Sequence, residues 1–311
     1  MRVAFQGEPG AFSEAAAIQL LGPAIITVPR ATFDSAFRAV SEGHADALLA
    51  PVENSLAGSV VRVYDLLLES GMRIVAETIL PIKHHLIGCP GSALEGIRSV
   101  ASHPMALAQC ERFFIARPDL QRVPAEDTAG SVREVLAKGD KSAAAIAGRR
   151  AAERYGGIVL ASDIQDGVEN FTRFVLLLAR RQDTSGEKVL PNSAPALSPD
   201  QTDLLTELFV RQRGGTIASP VVKVCLALRL AHRPGALLAA LEPFSRLAIN
   251  LLKIESRPIH GQPWEYQFFL DIETGDTDGL ESALGEVRLA TNDLRILGWY
   301  AAERSFSGKK S

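Results

Sequence analysis

The chain has 311 residues, 47% hydrophobic and 22% charged. This composition excludes a mainly disordered protein, and the length predicts roughly two domains. The 33 Lys and Arg residues against 36 Asp and Glu give a net charge of −3, which disfavours nucleic acid and anionic membranes as partners. Three widely spaced cysteines, with no signal-like or membrane-length apolar run, predict a cytoplasmic protein without disulfides.

Residues 1–181 alternate short apolar runs with helical patterns, which predicts an α/β domain. Predicted strands cover residues 2–6, 25–28, 47–52, 98–101, 143–147 and 170–179. Predicted helices cover residues 13–21, 32–42, 60–69, 104–114, 128–138 and 148–155. The long β-rich stretch 73–88 predicts a segment that crosses to a second lobe. Two lobes would leave a cleft between them, where small ligands commonly bind.

Residues 182–220 are rich in Pro, Ser and charge, which predicts a linker with one helix at 203–212. In residues 221–302 the predicted elements follow the order βαββαβ, which is the ferredoxin-like motif. Residues 303–311 are predicted to form a tail. The sequence therefore predicts an α/β protein with a two-lobed domain, a linker and a small C-terminal domain.

Several predicted strand-to-helix turns carry hydroxyl or amide side chains. Such groups, with the unpaired N–H groups of helix N-termini, can bind carboxylates. The candidate residues from these turns are Ser13, Asn54, Ser55, Ser102, Gln109 and Thr128. For any one turn, an ordinary helix cap is the better explanation, since Ser, Thr, Asn and Asp favour that position. Their joint placement at the carboxyl ends of strands favours a binding site.

The predicted strand that begins at Asn170 offers a further candidate. Asn170, Thr172 and Phe174 share one face of this strand because side chains alternate. Ordinary β-propensity with a solvated Arg173 is the alternative explanation. No nucleotide-binding loop occurs, and the six histidines show no metal-ligand spacing. We therefore expect no cofactor.

In the C-terminal domain, the turn at 233–238 leads into a helix, and Glu255–Pro258 closes a strand. Both can be structural, or both can line a small-ligand pocket.

Together these segments resemble prephenate dehydratase. The motifs are GEPGAFSEAAA, PVENSLAGSV, ASHPMALAQC, DTAGS and ENFTRF, followed by RPGALLAAL and KIESRPIHGQPWEYQFFLDI. The C-terminal part resembles the ACT regulatory domain, and no segment like chorismate mutase precedes the first motif, as in the monofunctional form. The resemblance implies a two-lobed catalytic domain like the type II periplasmic binding proteins. It implies a hydro-lyase that converts prephenate to phenylpyruvate, water and carbon dioxide without a cofactor.

The resemblance also implies roles for individual residues. Thr172 corresponds to the catalytic threonine of the family. The substrate-binding residues would be Ser13, Asn54, Ser55, Ser102, Gln109, Thr128, Arg173 and Phe174. The effector L-phenylalanine would bind Gly235, Ala236 and Leu237 of one subunit and Glu255, Ser256, Arg257 and Pro258 of another.

This arrangement implies a homodimer or homotetramer. Two alternatives stay open at this point. One is arogenate dehydratase, whose substrate carries an amino group in place of the keto oxygen. The other is a non-catalytic amino-acid sensor.

Overall fold

The computed structural model describes residues 1–179, 221–259 and 261–302. It divides into two compact units, one from Met1–Leu66 and Thr78–Val175, the other from Leu67–Glu77 and the described part of Leu176–Ser311. The predicted linker at 182–220, with its helix at 203–212, and the tail at 303–311 lie outside the described residues. The predicted domain boundary at residue 181 stays a prediction.

The described chain is a mixed α/β structure with two sheets, as the sequence predicted. The strands are β1 (Arg2–Gln6), β2 (Ile26–Arg30), β3 (Ala47–Asn54), β4 (Gly58–Ser59), β5 (Arg73–Pro81), β6 (His85–Gly88), β7 (Ser99–Ser102), β8 (Gln121–Pro124), β9 (Ala143–Ala147), β10 (Ile158–Ala161), β11 (Phe171–Leu178), β12 (Val222–Arg229), β13 (Asn250–Ile259), β14 (Gln262–Thr274) and β15 (Asp293–Ala301). The helices are α1 (Phe12–Leu21), α2 (Phe33–Ser41), α3 (Val61–Ser70), α4 (Pro104–Ala108), α5 (Glu111–Ile115), α6 (Thr128–Lys138), α7 (Arg149–Tyr155), α8 (Ala236–Arg246) and α9 (Thr277–Ala290).

The first unit contains two lobes. In one lobe the strand order is β2-β1-β3-β11, with β1 parallel to both β2 and β3, and β4 pairs with β3. In the other lobe the order is β10-β6-β9-β7-β8, with β7 parallel to β8 and β9. Two apolar clusters, one around Ile146 and one around Val132, form the core of this second lobe.

The predicted helix at 104–114 is wrong in one respect, because the structure has two short helices there. α4 ends at Ala108 with Gln109 as its C-cap, and α5 starts at Glu111. The carboxylate of Asp166 accepts hydrogen bonds from the backbone N–H groups of Glu111 and Arg112 at 2.8 and 2.9 Å. A negative charge at these N–H groups favours a new helix start. The break places Gln109 at a helix end.

The second unit has the strand order β13-β14-β12-β15-β5. Its C-terminal part follows the predicted order βαββαβ. Helices α8 and α9 supply side chains such as Phe244 and Leu284 to the same core as Val224 and Leu226 of β12. Strand β15 meets β5 at Gly298, where a Cβ atom would lie only 2.5 Å from Cβ of Ile74. This close approach requires glycine.

No helix among residues 1–179, 221–259 and 261–302 is long and apolar enough to cross a membrane.

Candidate active site

Asn54 lies at the carboxyl end of β3, and its amide joins several elements. Its Oδ1 accepts hydrogen bonds from the backbone N–H groups of Leu56 and Ala57, at 3.0 and 2.9 Å. Its Nδ2 lies 2.8 Å from Asn170 Oδ1, 3.1 Å from the carbonyl oxygen of Phe171 and 2.9 Å from Thr172 Oγ1. Asn54 therefore holds the start of β11 against the end of β3.

Thr172 is 9% exposed, and its hydroxyl oxygen accepts the hydrogen bond from Asn54 Nδ2. Because the oxygen already accepts, its own proton can be donated to another group. Asn170 and Phe174 are also buried, and both Asn170 and Thr172 contact the Asn54 amide. This places Asn170 and Thr172 on one side of the chain, as the alternation of side chains predicts.

Gln109 reaches this cluster from the second lobe. Its Oε1 accepts a hydrogen bond from Asn170 Nδ2 at 3.1 Å and lies 2.9 Å from His84 Nε2. The structure thus brings together four candidate residues from distant parts of the sequence, namely Asn54, Gln109, Asn170 and Thr172.

His84 belongs to the same cluster, and the sequence reasoning missed it. Its side chain is 2% exposed, and the ring of Phe12 packs edge-on against it at 5.7 Å between centroids. Burial lowers the pKa of His84, while the hydrogen bond to Gln109 raises it and the nearby His85 lowers it further. Within the described part of the chain, Nδ1 has no hydrogen-bond partner. An unpartnered buried acceptor costs about 1–3 kcal/mol.

Two other predicted residues, Ser55 and Ser102, form hydrogen bonds between their hydroxyl groups and the backbone. Ser55 Oγ donates to the carbonyl oxygen of Glu169 at 2.9 Å and accepts from Phe171 N at 3.0 Å. Ser102 is fully buried at the end of β7 and donates to the carbonyl oxygen of Ile146 at 2.7 Å. These contacts hold the loops of the site in place.

The remaining predicted residues of the first unit lie on several elements. Ser13 is buried in the first turn of α1, and Thr128 is half-buried as the first residue of α6. The side chain of Arg173 is only 11% exposed and lies 3.8 Å from Glu53, so it is not the solvated residue of the alternative interpretation.

Glu14 anchors the GEPGAFS turn, and the sequence reasoning missed it as well. Its carboxylate accepts from Gly10 N at 2.8 Å, Thr27 Oγ1 at 2.9 Å and Arg150 Nε at 2.7 Å. Burial raises the pKa of Glu14, but the hydrogen bonds from Gly10, Arg150 and Thr27 outweigh this effect, so the pKa is lowered. The carboxylate thus ties the turn to β2 and α7.

Replacing Glu14 with Gln is expected to lower the free energy of unfolding at pH 7 by about 1–3 kcal/mol, because one amide cannot accept from all three donors. The depressed pKa means that this stabilisation exists above the ordinary value of 4.5 and is lost as pH falls through the folded-state pKa. Thermal unfolding at several pH values should therefore show the two proteins converging as the pH falls below 4.5 and through the lowered pKa of Glu14. The control Glu111→Gln removes an exposed pair with Arg122 and should change the free energy of unfolding much less, because water screens exposed charges.

The predicted effector residues lie in the second unit. Gly235 is the N-cap of α8 with φ +79°, and Ala236 and Leu237 line a cavity of about 170 Å³. The other lining residues are Leu230, Ala231, His232, Arg233, Trp264, Glu265, Tyr266 and Phe268. Glu255, Ser256, Arg257 and Pro258 lie on the edge strand β13, and none of them lines this cavity.

Groups of three or more His, Cys, Asp or Glu side chains that could hold a metal ion are absent from the described residues.

Comparison with known proteins gives the family. A family model described as prephenate dehydratase matches residues 3–182. The Arabidopsis thaliana protein named arogenate dehydratase/prephenate dehydratase 2, chloroplastic, is 36% identical over 97% of this chain and 73% of its own length.

Two solved structures show the same fold. Prephenate dehydratase from Arthrobacter aurescens in complex with L-Phe has a TM-score of 0.78 at 29% identity, with 97% of this chain and 90% of that chain covered. A protein described as GqqA, a novel type of quorum quenching acylase, has a TM-score of 0.80 at 31% identity, with 98% and 99% covered.

The family model spans more than half of the chain, and three of the motifs within it meet through Asn54, Gln109 and Thr172, which Asn170 links. The similarity to the Arabidopsis protein extends over nearly all of the chain. The chain therefore belongs to the prephenate dehydratase family of aromatic amino-acid biosynthesis.

Proposed function

We propose that the protein is a hydro-lyase that converts prephenate to phenylpyruvate, water and carbon dioxide, for phenylalanine synthesis. The observation that carries this proposal is the 2.9 Å hydrogen bond from Asn54 Nδ2 to Thr172 Oγ1. It leaves the Thr172 proton available for the hydroxyl group that leaves prephenate. A donor aimed at a leaving oxygen assists elimination when it strengthens as negative charge develops there.

Beyond this donor, the reaction requires few catalytic groups from the protein. Loss of the hydroxyl with carbon dioxide gives an aromatic ring, so the driving force lies in the substrate. A threonine hydroxyl is a weak acid, and Thr172 therefore acts as a positioned hydrogen-bond donor rather than as an ionising acid. No step of this reaction requires a metal, a flavin or a nucleotide.

Helix N-termini and amide groups supply contacts for the two carboxylates of prephenate. Two arginines of this unit already have acidic partners, since Arg150 pairs with Glu14, and Arg133 pairs with Glu8 at 2.6 Å. In this part of the unit, the first turns of α1 and α6 offer N–H groups that favour anions. Ser13 and Thr128 lie in these turns and would add hydroxyl donors.

Side-by-side turnover of prephenate and arogenate by the purified full chain tests the proposal. We expect phenylpyruvate from prephenate, while faster turnover of arogenate would assign the protein to the arogenate dehydratases. Turnover of neither substrate would favour the non-catalytic amino-acid sensor.

The assay also includes an N-acylated amine as a third substrate, because the chain is similar to the protein described as a quorum quenching acylase. Acyl transfer needs a nucleophile activated by a base. Thr172 Oγ1 instead lies against the amide of Asn54, which cannot serve as a base. We therefore expect no cleavage in this arm.

We also propose that residues 221–302 form an ACT regulatory domain that binds L-phenylalanine. The βαββαβ order, the cavity beside Ala236 and Leu237, and the L-Phe complex of the Arthrobacter aurescens protein support this assignment. Because Ser256 and Pro258 are exposed on an edge strand, a second subunit can bring the segment Glu255–Pro258 to the cavity of the first. The proposal therefore includes a homodimer or homotetramer.

Replacing Gly235 with Val is expected to raise the L-phenylalanine concentration needed for half-inhibition by at least about tenfold, without changing turnover in its absence. The left-handed φ of +79° strains any side chain with a branched Cβ, and the isopropyl group would cover the first N–H groups of α8. The control is Gly71→Val, which carries the same strain at φ +66° in the same unit but does not line the cavity. Unchanged inhibition of the Gly235 variant would contradict the assignment.

We propose a cytoplasmic location. None of the three cysteines forms a disulfide and all three are buried, as suits a reducing compartment.

A further inference from the structure

Two backbone N–H groups determine which way the Asn54 amide points. Leu56 N and Ala57 N can only donate, so the atom that faces them must be the oxygen of the side chain. Nδ2 then faces the carbonyl oxygen of Phe171, which can only accept. The orientation of Asn54 is thus fixed from both sides.

The same logic extends to the next two amides. Since Asn54 presents Nδ2, Asn170 must face it with Oδ1, at 2.8 Å. Asn170 therefore turns its own Nδ2 to Gln109, which must present Oε1, at 3.1 Å. We call Asn54, Asn170 and Gln109 the amide chain.

The amide chain ends at His84. Gln109 Oε1 can only accept, so the His84 Nε2 atom at 2.9 Å must carry a proton. Within the described residues, Nδ1 has no partner to compete for this proton. Burial lowers the pKa of His84, so at neutral pH the ring is uncharged. The ring is therefore a neutral imidazole protonated on Nε2.

We propose that His84 is a positioning residue that makes Gln109 offer N–H donors, rather than its oxygen, to an anionic substrate; this inference rests on the proposed dehydratase function. The Gln109 side chain has two polar atoms, and His84 and Asn170 together occupy Oε1. Nε2 is then the polar atom left for substrate. Without the His84 donor, only the 3.1 Å hydrogen bond from Asn170 Nδ2 still holds Oε1. A larger share of molecules then turns the amide oxygen toward the substrate carboxylates, where its partial negative charge repels them.

Steady-state kinetics of His84→Leu test this role. We expect the KM for prephenate to rise roughly tenfold, as for one lost hydrogen bond, with kcat within about threefold of wild type. The small effect on kcat is expected because Thr172 is held by Asn54, whose orientation the backbone fixes independently. His84→Gln should restore the KM, since its amide nitrogen stands as far from Cα as the histidine Nε2. An unchanged KM in His84→Leu, or an equal loss in His84→Gln, would overturn the inference.

His85 provides the matched control, because it is a neighbouring buried histidine, 4% exposed, and not part of the amide chain. Its Nδ1 accepts from Asp163 N at 3.3 Å, so His85→Leu should change the loop and leave the KM within about twofold. A KM change in His85→Leu equal to that in His84→Leu would point to general disturbance of this strand and would overturn the specific role.

Nitrogen NMR of wild-type protein labelled with ¹⁵N-histidine provides a test that needs neither a variant nor activity. The ring signals of His84 at pH 7 should report a neutral imidazole with the proton on Nε2. A proton on Nδ1 would refute the inference even in an active enzyme. Conversely, the expected tautomer in a chain that turns over neither prephenate nor arogenate would refute the proposed function and leave the orientation of Gln109 supported.

Discussion

Replacing Thr172 with Val is expected to lower kcat for prephenate by about 10²–10⁴-fold, the range typical of a positioned proton donor. Valine keeps the branched Cβ that suits β11 but has no hydroxyl proton for the leaving oxygen. It also leaves Asn54 Nδ2 without one of its acceptors. Measurement of kcat at saturating prephenate checks the expectation.

Two further variants separate this role from packing. Thr172→Ser keeps the hydroxyl and should retain most of the activity. Thr78→Val removes the hydroxyl of another buried threonine, 2% exposed, which accepts from Gln19 Nε2 at 2.8 Å and lies outside the amide chain. Its kcat should stay within about twofold of wild type. Near wild-type turnover by Thr172→Val would contradict the assignment of this residue.

Local patterns predicted most of the elements because their causes lie within a few residues. Helix α6 begins and ends where predicted, since Asp127 caps it by accepting from Gly130 N at 2.6 Å. Helix α2 begins after Thr32 with a capping box that includes Ser35. Such signals can be read from the sequence alone.

Features that depend on distant contacts could not be predicted in this way. The break between α4 and α5 follows from Asp166, more than 50 residues further along the chain. The strands β8 and β10 were also missed, because they are short and none of their residues is buried. A run of four residues without alternation gives no periodic signal, whether it is mostly polar, as in β8, or wholly apolar, as in β10.

In the candidate site, too, some residues could be predicted from local motifs, while others depend on distant contacts. Motif order pointed to Asn54, Gln109 and Thr172, and the structure brings them together through Asn170. His84 gave no signal, since its role depends on Gln109, and no spacing rule joins the two. The hydrogen bond from Ser102 to a backbone carbonyl oxygen could not be predicted either. In the sequence, a serine in a turn looks the same whether its hydroxyl binds substrate or the main chain.

The second unit contains a buried ion pair that bears directly on its stability. Lys223 Nζ of β12 donates to both carboxylate oxygens of Glu77 in β5, at 2.8 and 3.0 Å. Tyr300 OH of β15 donates to Glu77 Oε2 at 3.2 Å and lies 3.3 Å from Cys225 Sγ. Glu77 is fully buried and Lys223 is 9% exposed. Desolvated charges of this kind are tolerable only while both partners are present.

Replacing Lys223 with Met is therefore expected to lower the free energy of unfolding by about 3–5 kcal/mol, because the buried Glu77 carboxylate loses the cation that donates to both its oxygens. The double variant Glu77→Gln/Lys223→Met should recover more than half of this loss. The amide that replaces the Glu77 carboxylate is neutral and needs no cation, and its oxygen can still accept a hydrogen bond from Tyr300.

Urea unfolding of both variants measures the effect, and Arg229→Met provides the control on the same strand. Arg229 pairs with Glu265 at 2.9 Å, but the two side chains are 36% and 51% exposed, so its loss should cost less than about 1 kcal/mol. Lys223→Met as stable as Arg229→Met would show that Glu77 is neutral or hydrated when folded. A double variant as unstable as Lys223→Met would show that lost packing of the lysine stem, rather than the lost ammonium group beside Glu77, accounts for the change.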